Sequence, residues 1–276
     1  MSSKYIIKAT GEREEFNPQK LHNSLLQAKA SPETANTIVE KIERELKEGD
    51  STKNIYHYAF ELLGEMEKPT AVRYSLRRAI MNLGPTGFPF EQLIAEIFHT
   101  KGFGTQTDFI ANGKCANHEI DIVAWNEEKL IMVEAKFHNE LGIKSDLKVA
   151  LYVKARWDDL SHSKFDFGKE RKLDEGWLIT NTKFSESAIK YAKCQNMKLV
   201  GWNYPEHGNL HDLIEEAHLH PITCLESISP REEKLLMESG IVLCKQALDN
   251  VDILEQVGLP KDKIAKMLEE INLIQK

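Results

Sequence analysis

Two carboxylates and one ammonium fall where two apolar runs would bring them together. Asp121 lies in the run from Glu119 to Trp125, and Glu134 and Lys136 lie in the run from Leu130 to Lys136. Both runs are rich in β-branched and other apolar residues, so each reads as a strand. Asn126, Glu127, Glu128 and Lys129 form a short polar turn between them, which makes the pair a hairpin. Side chains two apart on a strand share a face. Glu134 and Lys136 therefore point one way, Ala135 turns into the core, and Asp121 reaches the same point from the partner strand. Ionised carboxylates in an apolar setting are disfavoured unless paired or metal-bound. A hard cation such as Mg²⁺, which takes few carboxylates and keeps several waters, would relieve them if Asp121 and Glu134 were its metal ligands. Lys136 beside it would orient or deprotonate a water and stabilise a developing phosphate charge. The chemistry expected is metal-assisted phosphodiester hydrolysis. An exposed Glu–Lys ladder is the plainer alternative, but the flanking positions are too apolar for an exposed strand.

The surrounding pattern supplies elements to hold these groups. A helix is expected from Phe88 to Lys101, with Phe90, Leu93, Ile94, Ile97 and Phe98 inward and Glu91 on the flank facing the sheet end. Glu96 competes with Glu91 as a third carboxylate. A strand around Gln106 to Ala111 and a turn at Gly113 lead into the hairpin. A long helix follows from near Ser145 to Leu160, with Lys148, Tyr152 and Arg156 on one face, toward a DNA backbone or toward solvent. Then come a strand from Gly176 to Thr182, a helix capped by Ser185, and a strand from Lys198 to Trp202. This alternation argues an α/β sheet. His118 and His138 flank the hairpin, within reach of a phosphate or as caps of strand ends. His207, His211, His218 and His220 crowd one segment, where zinc would need their rings to converge.

In this order the residues resemble the PD-(D/E)xK nuclease core, in the branch similar to Mrr-type restriction endonucleases. The resemblance rests on Gly87-Phe88-Pro89-Phe90-Glu91, on Asp121, on Glu134-Ala135-Lys136, and on the later strand and helix, and it covers about Gly87 to Ile214. It implies a Mg²⁺-dependent DNA endonuclease in which Glu91, Asp121, Glu134 and Lys136 are catalytic.

The first eighty residues read differently. A short strand over Tyr5 to Lys8, a turn at Gly11 and a return through Glu14 to Phe16 give a small hairpin. Four helices follow, the first capped by Asn17 with Pro18 at its first position, and the second opened by Ser31-Pro32. Ser51 or Thr52 caps the third, which buries Ile55, Ala59, Leu62 and Leu63, and the fourth runs from Thr70 to Met81. Lys8, Gly11, Phe16, Lys20 and Leu21 at this spacing resemble the ATP-cone domain, a nucleotide-sensing module. The resemblance implies that Lys8, Glu14, Asn17 and Lys20 hold ATP or dATP, with the lysines on the phosphates. Two ammonium groups near a helix N-terminus make an anion site on physical grounds as well. The family follows Lys8 with an arginine, and this chain has Ala9.

Gly84-Pro85-Thr86-Gly87 reads as a linker. The last fifty residues read as helices, with Ser229 to Glu232 a capped start. The Gly240 and Gly258 turns resemble a tandem helix-hairpin-helix, whose turn amides hold DNA phosphates, although plain packing or oligomerisation is an equal reading. The fold class expected is mixed, multi-domain α/β: a hairpin with helices over 1–84, a restriction-endonuclease-like α/β sheet over 87–222, and an all-α unit over 225–276. Net charge is −7, so DNA contact requires a local basic strip. Lys164, Lys169, Arg171 and Lys172, with Lys154 and Arg156 upstream, are the candidates. Cys115, Cys194, Cys224 and Cys244 stand singly, without a CxxC pair, which argues against both a zinc ribbon and a disulfide framework. That counts against a reductase-type repressor. No signal peptide or membrane span is expected, and a reducing cytoplasm fits. The function expected is a Mg²⁺-dependent endonuclease of double-stranded DNA controlled by adenine nucleotide, with a homo-oligomer as one arrangement open to it. The alternative is a non-catalytic nucleotide sensor that uses the nuclease fold to bind DNA.

Overall fold

The computed structural model describes residues 4–8, 11–140 and 142–274, and Ala9 lies outside them. Strands β1 (Tyr5–Ile7) and β2 (Arg13–Glu15) pair antiparallel around the positive-φ turn at Gly11. Helices α1 (Pro18–Gln27), α2 (Pro32–Glu45) and α3 (Thr52–Met66) follow, capped by the side chains of Asn17, Ser31 and Ser51. The cap residues and the inward stripe of α3 are those the sequence indicates. Helix α4 (Lys68–Met81) begins two residues earlier than expected.

The second unit opens with α5 (Phe88–Thr100), whose five expected inward residues are all buried. Its sheet has the order β11-β9-β5-β4-β3. Strands β3 (Gly104–Asn112), β4 (Asn117–Trp125) and β5 (Leu130–Lys136) run antiparallel, whereas β9 (Glu175–Thr180) and β11 (Lys198–Val200) add in parallel. Parallel neighbours need crossovers. Helix α6 (Leu147–Leu160) lies in the connection from β5 to β9, and α7 (Glu186–Cys194) joins β9 to β11. Short pairs complete the loops: β6 (Lys144–Ser145) with β10 (Lys183–Phe184), and β7 (Phe165–Asp166) with β8 (Glu170–Arg171). Strand β11 is shorter than the sequence suggests, because Gly201 and Trp202 leave the ladder toward α8 (Leu210–Ala217).

A 3₁₀ turn (Ile222–Cys224) leads to α9 (Pro230–Glu238), α10 (Cys244–Asp249), α11 (Val251–Gln256) and α12 (Lys261–Ile274). Ser229 and Glu232 form the expected capping box on α9. Both helix–glycine–helix turns are present, with Gly240 and Gly258 at positive φ. The amides of the first turn are spent inside the chain. Gly240 N–H donates to Met237 O at 3.0 Å and Ile241 N–H to Leu236 O at 2.9 Å. Val242 and Leu243 N–H both donate to Gln246 Oε1. As arranged, this turn leaves no amide for a phosphate.

The α5 face of the sheet does not pack as a closed unit. Its core joins Ile122, Val133 and Ile179 to Leu76, Ile80 and Leu83 of the α4 region and to Leu236, Leu254 and Met267 of the C-terminal helices. The opposite face packs on α6 and α7 through Val123, Met132, Val153, Trp157 and Ala188. No helix among the described residues is long and apolar enough to cross a membrane.

Candidate active site

The β4–β5 ladder pairs Trp125 with Leu130 and ends at Ile122 opposite Val133. One more step would pair Asp121 with Glu134. There the strands part, and the Ala135 N–H donates to Asp121 Oδ2 at 2.6 Å instead. A side chain thus takes over a main-chain bond, and both carboxylates open toward the same gap.

Strand β4 also rolls at this point. Ile122 and Ala124 pack on the α5 side, whereas Ile120 packs on the α6 side. The β3–β4 ladder keeps one register on either side of the roll, pairing Thr107 with Ile122 and Phe109 with Ile120, but it skips Asp108 and Asp121. Asp108 sits at φ +52, a conformation that aspartate tolerates better than most side chains.

Burial and the Glu134 charge push the Asp121 carboxyl up to about 7, against a smaller downward pull from the Ala135 N–H. Burial also raises Glu134, although Arg156 and Lys136 pull it down. Glu91 is raised by burial first, and then by the charges of Asp108, Glu119 and Glu134. Glu96 points elsewhere and lies 4.0 Å from His99. Lys136 is exposed, and its ammonium has no ion-pair or hydrogen-bond partner among the described residues. Its carbonyl accepts from Thr180 Oγ1 at 2.8 Å, which ties the end of β5 to β9. The structure thus sets Asp121 beside Glu134 at the end of the hairpin, with Lys136 two residues further along β5 and Glu91 in the first turn of α5.

Arg156 is the main correction. It faces neither DNA backbone nor open solvent. Its guanidinium donates to the Glu134 carboxylate and to the Glu119 carbonyl, and lies 5.4 Å from the Tyr152 ring centroid. Most of the expected basic strip is likewise occupied. Lys154 pairs with Asp158 and Lys164 with Glu170, while Lys169 and Arg171 donate to the carbonyls of Glu127 and Asn126. Four of the histidines singled out have partners inside the chain. His118 is held by Asp159 at 2.8 Å, and His138 by Ser145 at 3.0 Å. His211 meets the Trp202 ring, and His220 is buried against Glu215. Three residues were missed from sequence: Arg156 as a partner of Glu134, and Asp108 and Glu119 as members of the acidic cluster. The β alternation of β4 marks Glu119 as a neighbour of Asp121; nothing in the sequence signals Asp108.

The donor set suits a hard divalent cation, being all carboxylate oxygen, with like-charge repulsion that Arg156 relieves on the Glu134 side. Among the described residues, no three acidic, histidine or cysteine side chains stand close enough to form a closed metal cage. Two carboxylates with water in the remaining positions is the arrangement these residues fit.

In the N-terminal unit Lys8 and Lys20 both pair with Glu14, Lys8 at 2.7 Å. These hydrogen bonds, from Lys20 first and then Lys8, bring Glu14 down to about 2. Asn17 Oδ1 accepts from the Lys20 N–H at 3.2 Å, so this side chain serves as the helix cap. All four expected nucleotide residues converge on one patch.

Comparison with known proteins matches this layout. The ATP cone domain model matches residues 4–80, the restriction endonuclease (Mrr_cat) model 85–203, and the AF1548-like C-terminal model 220–275. An uncharacterized protein from Archaeoglobus fulgidus is 36% identical over 178 residues, covering 64% of this chain and 97% of that protein. A crystal structure described as that of a protein of unknown function, AF1548, is 33% identical with a TM-score of 0.57, covering 69% of this chain and 98% of that one. The MspJI restriction endonuclease, solved with a 27-mer oligonucleotide, is 12% identical with a TM-score of 0.32, over 59% of this chain and 39% of that one, too low a likeness to carry an argument. The chain therefore belongs to the AF1548-like family, and it combines that family's C-terminal domain with a restriction endonuclease domain and an ATP cone domain.

Proposed function

We propose that the protein is a Mg²⁺-dependent endonuclease of double-stranded DNA, acting in the cytoplasm, whose activity responds to ATP or dATP at the N-terminal domain. The observation that carries this reading is the parting of β4 and β5 at Asp121 and Glu134, which aims two carboxylates and the unpaired Lys136 at one gap.

A bound Mg²⁺ supplies Lewis acidity to a phosphodiester oxygen and a more acidic water. Asp121 and Glu134 are the residues that would hold it, and Asp121 would do so as the carboxylate. The Lys136 ammonium, free of other partners, orients the attacking water and stabilises charge on the phosphate. Glu91 extends the acidic rim from the start of α5. Arg156 neutralises Glu134 in this arrangement and would have to share it with a cation.

Titrating Mg²⁺ into the protein with duplex DNA present, while reading heat and strand cleavage together, tests this. Both signals are expected in the wild type and neither in Asp121→Ala or Glu134→Ala. Cleavage that survives either substitution would place the chemistry elsewhere. One observation favours a second reading, a non-catalytic nucleotide sensor that binds DNA. Arg156 already occupies Glu134. Under that reading Mg²⁺ gives neither heat nor cleavage, and duplex DNA is still bound.

A further inference from the structure

The N-terminal domain meets the nuclease domain through specific contacts. Lys29 lies 3.2 Å and Arg73 3.9 Å from Glu215 of α8. Thr223 Oγ1 donates to the Ala79 carbonyl at 2.7 Å, and Asn181 Nδ2 contacts Met81 Sδ at 3.2 Å. The last contact sets the end of α4 beside the segment that follows β9. Arg77 is one turn before Met81, and Lys183 is two residues after Asn181. Lys183 and Lys144 are paired in register in the parallel β6–β10 ladder, so their side chains leave it on one side.

Lys144 and Lys183 thus stand together near Arg77 across the domain boundary. Burial first, and then the charges of Arg77, Lys144, Lys20 and Lys8, hold the Lys183 ammonium below its usual value. Against them stand Glu14, which bridges Lys8 and Lys20, and Glu12, 3.5 Å from Lys8. Arg77 is half-buried, and its Nε is buried with no acceptor among the described residues. Neither Lys144 nor Lys183 has an ion-pair partner among them. Like charges drawn from two domains, with too few acids to balance them, make a site for a polyanion.

We propose that Lys144 and Lys183 of the nuclease domain complete the anion site of the N-terminal domain, facing Lys8, Lys20 and Arg77 across the boundary, so that both domains hold the phosphates of one nucleoside triphosphate. The proposal rests on the reading of the N-terminal domain as a nucleotide site. It gives that reading a physical link to the chemistry. Lys183 follows Thr180 by three residues, and the Thr180 hydroxyl holds the Lys136 carbonyl. Asn181, between them, holds the His138 backbone in both directions, each bond 2.8 Å. A phosphate drawn onto Lys183 therefore pulls on the segment that fixes the end of β5.

Calorimetry of ATP and of adenosine with the full-length protein tests this. ATP should bind the wild type, and Lys144→Ala with Lys183→Ala should weaken it by about tenfold or more, on the order expected for lost charge-assisted bonds. Adenosine, which has no phosphate, should bind the wild type and the double variant alike. Lys144→Arg with Lys183→Arg keeps the charge and should keep most of the ATP affinity. An unchanged ATP affinity in the double alanine variant overturns the shared site and leaves the nucleotide reading standing. A wild type that binds no ATP at millimolar concentration overturns both.

Discussion

Asp121 carries the most informative single property of the site. Its carboxyl is held at about 7, against roughly 3.9 in an unfolded chain. Between those values the folded protein keeps a proton that the unfolded chain has lost. Stability contributed by this residue therefore falls as pH rises from about 4 to about 7, by a few kcal/mol in all. Asp121→Asn keeps an acceptor for the Ala135 N–H and cannot ionise. Its melting temperature should exceed that of the wild type by several degrees at pH 8, with the gap closing toward pH 4. Thermal melts across that range check this, and a gap independent of pH would contradict it. Mg²⁺ should narrow the gap at pH 8, since only the wild type gains from neutralising Asp121. Lys136→Ala should lower kcat while leaving the Mg²⁺ dependence near that of the wild type, because its ammonium is placed to act on water and phosphate. That Glu134 and Lys136 lie on one face of β5, opposite Ala135, was legible because strand alternation fixes which side chains share a face. Arg156 was not, since its period on α6 says which residues lie together and not which strand they meet.

At the scale of elements, the site depends on how closely α6 approaches the sheet. Gly176 in β9 faces Trp157 of α6, and a Cβ there would come within 2.3 Å of the indole ring. Trp157 neighbours Arg156, so this close approach sets where the guanidinium lies. Gly176→Ala should cost about 1–3 kcal/mol through overpacking, measured by urea unfolding. A change within experimental error would show that α6 has room to retreat. The hairpin of β4 and β5 was legible from its composition and its polar turn, and every expected helix is present. The roll of β4 was not legible, because it turns on a positive φ at Asp108 that no residue type announces. The basic strip misled for a related reason: the carbonyls and carboxylates that engage Lys154, Lys164, Lys169 and Arg171 come in part from residues distant in sequence.

At the scale of the molecule, the three regions share one core. Leu76, fully buried on α4, packs in the same cluster as the sheet and the C-terminal helices. All four tryptophans, at 125, 157, 177 and 202, lie within the part matched by the restriction endonuclease model. Leu76→Ala should therefore lower the midpoint that tryptophan fluorescence reports, with a loss of about 2–5 kcal/mol. An unchanged midpoint would show that the regions unfold independently. The sequence marks Gly84 to Gly87 as a linker, yet it does not show that α4 packs beyond it, since an apolar stripe does not name its partner. That shared core, with the ion pairs at Glu215, would let a nucleotide at one end bear on carboxylates at the other, as proposed. On the proposed function, Asp121, Glu134 and Lys136 cleave DNA with a divalent cation. Supercoiled plasmid incubated with wild type and Glu134→Ala in parallel, with Mg²⁺ and ATP, tests it most directly. Nicked and linear plasmid from the wild type alone, stopped by EDTA, is the predicted result; intact plasmid with the wild type, or equal cleavage by Glu134→Ala, would contradict it.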